Sequence, residues 1–155
     1  MAASSPTGPA FEGAQISSGQ RAAVGAIERV RINPNNYEPI YKVIGSDQWS
    51  DSADFLEEVK KTGLTGICGS GIIEIIAEMY LAGIISEDGV INGALSSKTK
   101  RIEKFGRTFC YKVTEQIAIT QADVRAIQLA KAALYAGFRL LICLLYTSPS
   151  PRDNR

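Results

Sequence analysis

A fold mixing helices and strands is predicted by three observations. Two long helical patterns, over residues 70–81 and 120–142, are separated by short stretches of β-branched and aromatic residues. A glycine-rich turn, Gly66-Ile67-Cys68-Gly69-Ser70-Gly71, feeds straight into the first helix. Turn residues punctuate the rest, at Asn33-Pro34-Asn35-Asn36 and at Glu87-Asp88-Gly89.

The first helix organises the chain. Gly66, Gly69 and Gly71 permit backbone angles that a β-carbon forbids, and Ser70 is placed to cap the helix start. Beyond them Ile72, Ile73, Ile75, Ile76, Met79, Tyr80 and Leu81 leave only Glu74 and Glu78 as a narrow polar stripe. A helix this apolar must be covered on most sides, and Gly83 ends it.

The remaining elements follow in order. Residues 1–13 read as a loop, because Pro6 and Pro9 lack ladder donors, and a short helix is expected near residues 10–17. Residues 22–30 contain a helix-like piece, with an extended segment starting at Val30-Arg31-Ile32. After the asparagine turn, residues 40–44 read as the returning strand. Residues 51–61 form an amphipathic helix with acids early and Lys60 and Lys61 late, closed by Gly63.

Val90-Ile91 is a short extended piece, and the basic run 96–107 reads as a solvated loop without the aromatics that stack bases. Residues 109–113 and 117–119 read as strands of a hairpin. Thr120 and Asp123 form a capping-box pattern that starts the second long helix. Its expected core face is Val124, Ile127, Leu134, Phe138 and Leu141, with Arg125, Gln128, Lys131 and Arg139 largely off it.

Composition bounds the function. With 155 residues the chain is one domain or part of one, able to bury roughly two thirds of its unfolded surface. A net charge of +1 gives no reason to expect nucleic acid or an acidic membrane as partner. The chain has no histidine, which removes the commonest general base and metal ligand. Its cysteines, Cys68, Cys110 and Cys143, are odd in number and far apart, so neither a disulfide framework nor a metal-ligand set is visible. No signal pattern opens the chain and no uninterrupted apolar run reaches bilayer length, so a cytoplasmic protein is expected.

Two readings of the glycine turn stay open. A glycine turn at a helix start offers free amides and a helix dipole to an anion such as phosphate. It equally serves as a tight turn that packs a buried helix. Glu12 in its loop and Lys131 on its helix flank read as surface residues from local pattern alone.

The end of the chain differs from the rest. Residues 143–153, Cys-Leu-Leu-Tyr-Thr-Ser-Pro-Ser-Pro-Arg-Asp, resemble the translation of a transposase-type sequencing adapter. The expected organisation is therefore a native fragment over 1–142 and a non-native, disordered tail over 143–155.

Several blocks together resemble the C-terminal domain of the reductive activators of corrinoid-dependent enzymes. They are Ser4-Ser5-Pro6-Thr7-Gly8-Pro9-Ala10-Phe11-Glu12-Gly13-Ala14, the Gly66 to Ile73 turn, Tyr80-Leu81-Ala82-Gly83-Ile84-Ile85, and the run from Ile119 to Gly137. The resemblance implies an α/β fold of the sugar-kinase, chaperone and actin superfamily (ASKHA), here a partial ATPase domain with a mixed sheet. It implies ATP with Mg as cofactor, and a two-iron two-sulfur cluster in a ferredoxin module of the parent protein, outside this chain. The implied reaction restores cob(I)alamin on the corrinoid protein of a methyltransferase system, and a homodimeric parent stays open.

Residue by residue, Gly8, Glu12 and Gly13 resemble the loop that follows the superfamily's phosphate hairpin. Gln128 and Lys131 match the spacing with which related chaperones face adenosine. Gly69, Ser70 and Gly71 match the family motif without an assigned contact. A docking module for the corrinoid protein, and a fragment inactive and poorly soluble by itself, are the alternatives.

Overall fold

The structure, a computed structural model, describes residues 8–147. Among them six strands form two three-stranded sheets. In the first, β1 (Ala26–Ile32) lies between β2 (Pro39–Val43) and β3 (Gly66–Ile67), antiparallel to β2 and parallel to β3. The second orders β4 (Ile102–Phe105), β5 (Thr108–Lys112) and β6 (Ala118–Thr120) as an antiparallel meander. Helices α1 (Phe55–Thr62), α2 (Gly69–Leu81) and α3 (Gln121–Thr147) complete the frame.

Residues 26–29 depart from the helix-like reading of 22–30, while the extended segment expected at Val30-Arg31-Ile32 forms the end of β1. Ala22, Ala23 and Ala26 suit a helix, yet Ile27, Val30 and Ile32 bury their side chains as β1. A register shift between Ile27 and Arg29 resets the alternation so that Val30 and Ile32 still face inward. The asparagine turn forms as expected. Asn33 O accepts from Tyr37 N at 2.8 Å, and the Asn33 and Asn36 side chains accept from Asn35 N and Glu38 N. Residues 39–43 return as β2.

Helix α1 starts at Phe55, later than the acidic run suggested, and Asp54 makes no capping bond with its side chain. Gly63 closes it at φ 74°. The expected helix near residues 10–17 is a shorter 3-10 turn over Pro9–Glu12, continued by bends. The basic run 96–107 is not wholly loop: it takes in the end of a 3-10 turn over Gly93–Ser97 and the edge strand β4. Only Ile102 of β4 is buried, and Glu103 and Lys104 remain exposed, a composition that suits an edge.

Helix α2 packs along β1, its Ile72, Ile75 and Met79 fully buried beside Ile27 and Val30. Its two acids do more than face water. Glu74 accepts from Val30 N at 2.9 Å and Glu78 from Ile32 N at 3.0 Å, the two amides that β3 is too short to pair. Arg29 Nε binds Glu74 at 3.0 Å, and Arg31 also pairs with it. The helix thus closes an open strand edge with carboxylates. Gly83 follows at φ 72°, as a helix-terminating glycine should.

Helix α3 corrects two expectations. Val124, Ile127 and Ala130 are buried, whereas Leu134 and Phe138 of the expected core face are 45 % and 59 % exposed. The helix also runs past residue 142 to Thr147, so the first residues of the expected disordered tail are helical; residues 148–155 lie outside the described residues. Lys131 and Arg139 interrupt its apolar run, yet Gln121–Leu144 is long and apolar enough to cross a membrane by length and composition. Its first turns are built into the core instead.

Candidate functional site

The site begins with two glycine-bracketed segments pressed together. Gly8 and Gly13 flank the Pro9–Glu12 turn at φ 70° and 84°. A β-carbon on Gly13 would lie 2.7 Å from the Gln20 backbone, so loop and turn meet main chain to main chain. The loop then pairs with β3: Gln20 N donates to Ile67 O, and Ile67 N to Ser18 O, each at 2.9 Å. That anchorage delivers Arg21 beside the start of α2.

The glycines of the turn are explained by proximity and not by torsion. None of Gly66, Gly69 and Gly71 has positive φ. A β-carbon at Gly69 would sit 1.9 Å from Phe11 O, and one at Gly71 would sit 2.5 Å from Ile27 O. Ser70 does not cap the helix. Cys68 holds the N-cap position, and the Ser70 hydroxyl lies 3.2 Å from Cys68 Sγ.

Asp123 fastens the loop to α3. Its Oδ2 accepts from Thr120 N and Oγ1 at 2.8 Å, completing the expected capping box with Asp123 N to Thr120 Oγ1 at 3.2 Å. Its Oδ1 accepts from Ser17 N at 2.8 Å and Ser17 Oγ at 3.0 Å. One buried carboxylate therefore ties the glycine loop, the end of β6 and the helix together.

Of the concavities that result, two share Phe11 as a wall. The larger, about 660 Å³, is an apolar groove between α2 and α3, walled by Ile73, Ile76, Tyr80 and Ile127 with Gln128 and Lys131 beside them. Gln128 is held there: its amide donates to Asp88 O at 3.1 Å and accepts from Arg125 at 2.8 Å. Lys131 is exposed and has no ion-pair partner among the described residues. The smaller, about 390 Å³, is lined by Glu12, Arg21 and Ser70 together with Ala22, Cys68 and Gly69.

The expected site residues thus fall into two neighbouring groups. Glu12, Gly69 and Ser70 share the small pocket, Gln128 and Lys131 the groove, while Gly8, Gly13 and Gly71 shape the backbone around them. Sequence pattern missed Phe11 and Arg21, since only the fold brings residues 11, 21 and 70 to one place. The Glu12 carboxylate and Ser70 hydroxyl are hard oxygen donors of the kind that suit Mg²⁺ held mainly by phosphates and water. An apolar slot with a polar rim suits a flat heterocycle.

Comparison with known proteins agrees with this architecture. The family described as the C-terminal domain of RACo, the ASKHA domain, matches residues 1–147. The chain is 38 % identical over 152 residues to the corrinoid activation enzyme RamQ of Eubacterium limosum, covering 90 % of this chain and 23 % of that protein. A solved structure titled reductive activator for corrinoid, iron-sulfur protein superposes with a TM-score of 0.74 at 32 % identity, over 91 % of this chain and 21 % of that one. The chain spans less than a quarter of the length of these relatives. It belongs to the family of the RACo C-terminal, ASKHA domain.

Proposed function

We propose that this domain supplies part of the ATP site of a cytoplasmic reductive activator that returns the cobalt of a corrinoid protein to its cob(I)alamin state. The observation that carries the reading is the meeting, at Phe11, of a small pocket lined by Glu12, Arg21 and Ser70 and an apolar groove, in a domain of this family. Glu12 and Ser70 would hold Mg through water and phosphate, and Lys131 and Gln128 would face the adenosine. Bound ATP would supply free energy for an uphill electron transfer whose electrons come from an iron-sulfur module outside this chain. Coupling of that kind needs two conformations with different affinity for the partner. A protein that presents only this stretch would bind nucleotide weakly and turn over nothing.

Titration of the chain with Mg·ATP, followed by heat, tests the reading. Saturable binding is expected, weakened about tenfold in Lys131→Ala by loss of one charge-assisted contact. Absence of any nucleotide binding by the wild-type chain and by the protein extended to its relatives' length would refute it. A second reading, a docking module for the corrinoid protein, is favoured by the exposed Leu134 and Phe138 on α3. It predicts unchanged ATP binding in Lys131→Ala and lost corrinoid-protein docking in Phe138→Ser.

A further inference from the structure

We infer that Arg21 is the cation that receives the phosphates of the proposed nucleotide, a residue to which neither sequence motif nor spacing pointed. The inference rests on the ATP reading above and assigns its phosphate end. Three observations carry it.

The first is placement. Arg21 lines the small pocket with Glu12 and Ser70, and Phe11 lines both this pocket and the groove that Lys131 lines. The second is electrostatic. Arg21 and Glu12 share this pocket and yet form no ion pair with each other, and among the described residues Arg21 has no carboxylate partner. Other arginines near the core are committed: Arg29 and Arg31 to Glu74, Arg101 to Glu38. A guanidinium kept apart from an acid in the same pocket is arranged as for a third, bridging group. A metal-bound phosphate satisfies both, its oxygens facing the guanidinium and its metal facing the carboxylate.

The third observation is anchorage. The backbone before Arg21 is fixed by Gln20 N to Ile67 O at 2.9 Å, and the Gln20 side chain donates to Thr65 Oγ1 at 2.9 Å. Gly19 also bridges Ile67 in parallel register. An exposed side chain thus stands on an immobilised stem, which limits the ordering cost of gripping a ligand. The planar fork of arginine matches two phosphate oxygens at once, whereas lysine would meet them as a point charge.

The test compares Mg·ATP and adenosine as probes on the full chain and on Arg21→Ala, Arg21→Lys and Lys131→Ala, by calorimetric titration at two salt concentrations. Arg21→Ala is expected to weaken Mg·ATP about tenfold or more while leaving adenosine affinity and the melting temperature unchanged. Arg21→Lys is expected to recover only part of the loss and to keep the salt dependence. Equal Mg·ATP affinity in wild type and Arg21→Ala, with Lys131→Ala impaired, overturns the role of Arg21 and leaves the nucleotide reading standing. Binding of neither probe by the wild type overturns both. An equal loss of ATP and adenosine in Arg21→Ala, with a lowered melting temperature, also overturns the assignment by showing a purely structural role.

Discussion

Helices α2 and α3 have similar apolar content and opposite fates. Helix α2 buries Ile72, Ile75 and Met79 completely and turns its two acids to the edge of β1, leaving Ile73 and Tyr80 half exposed over the groove. Helix α3 buries Val124, Ile127 and Ala130, then leaves the core, and Leu134, Tyr135, Phe138 and Leu140 stand in the open. An apolar stripe states which way a helix would face; how far along it is buried depends on what lies opposite. The contrast also locates the candidate site, because the groove forms where the covered part of α3 faces the half-covered flank of α2.

The largest expected effect breaks the contrast at its centre. Ile75→Ala, in a fully buried position, should cost about 3 kcal/mol in chemical denaturation, whereas Leu134→Ala should stay within about 0.5 kcal/mol. Equal costs would mean that α3 is covered in solution by something other than these residues.

Next comes the root of α3. Asp123→Ala removes the acceptor of four hydrogen bonds from Ser17 and Thr120, and should cost about 2 kcal/mol. The same change should accelerate amide exchange at Ser17 as well as in the first turn of α3, since both are moored to one carboxylate.

The smallest effect concerns the polar side of α2 and depends on pH. Burial pushes the Glu74 carboxyl up, but the hydrogen bonds from Arg29, Arg31 and Val30 N outweigh it and hold the group below the usual carboxylate range. A lowered folded-state value means stability that is whole above the unfolded carboxylate pKa of about 4.3 and is lost as pH falls through the folded value. Melting curves from neutral pH downward should therefore fall below about pH 4, and Glu74→Gln should flatten that part of the profile. An unchanged acid limb in the variant would show that Glu74 is not a determinant of the strand edge.

Much of this was legible beforehand because local chemistry sufficed. The asparagine turn is set by side chains bonding backbone two residues on, and the Thr120–Asp123 box by residues three apart. Helix α2 was legible because Gly83 and the isoleucine run mark it without outside help. Strand β4 was not, since a charged edge segment becomes a strand only by pairing with β5. Neither was the first half of β1, where alanine-rich sequence favours a helix and two neighbouring strands decide otherwise. The blocks shared with corrinoid activators identified the family, and Glu12, Ser70, Gln128 and Lys131 came from that likeness.

By itself, then, the sequence determined the positions of α2, β2, the hairpin of β5 and β6 and the start of α3, and it determined the family. Tertiary structure alone decided why the turn needs its glycines, since Gly69 and Gly71 yield space to Phe11 O and Ile27 O rather than adopting unusual angles. It alone moored Ser17 to Asp123 across a separation of 106 residues, and brought Arg21 to Ser70. The physical reason is range: capping and turn bonds span a few residues and are written in local order. Close approach and shared pockets join residues that only the folded chain makes neighbours.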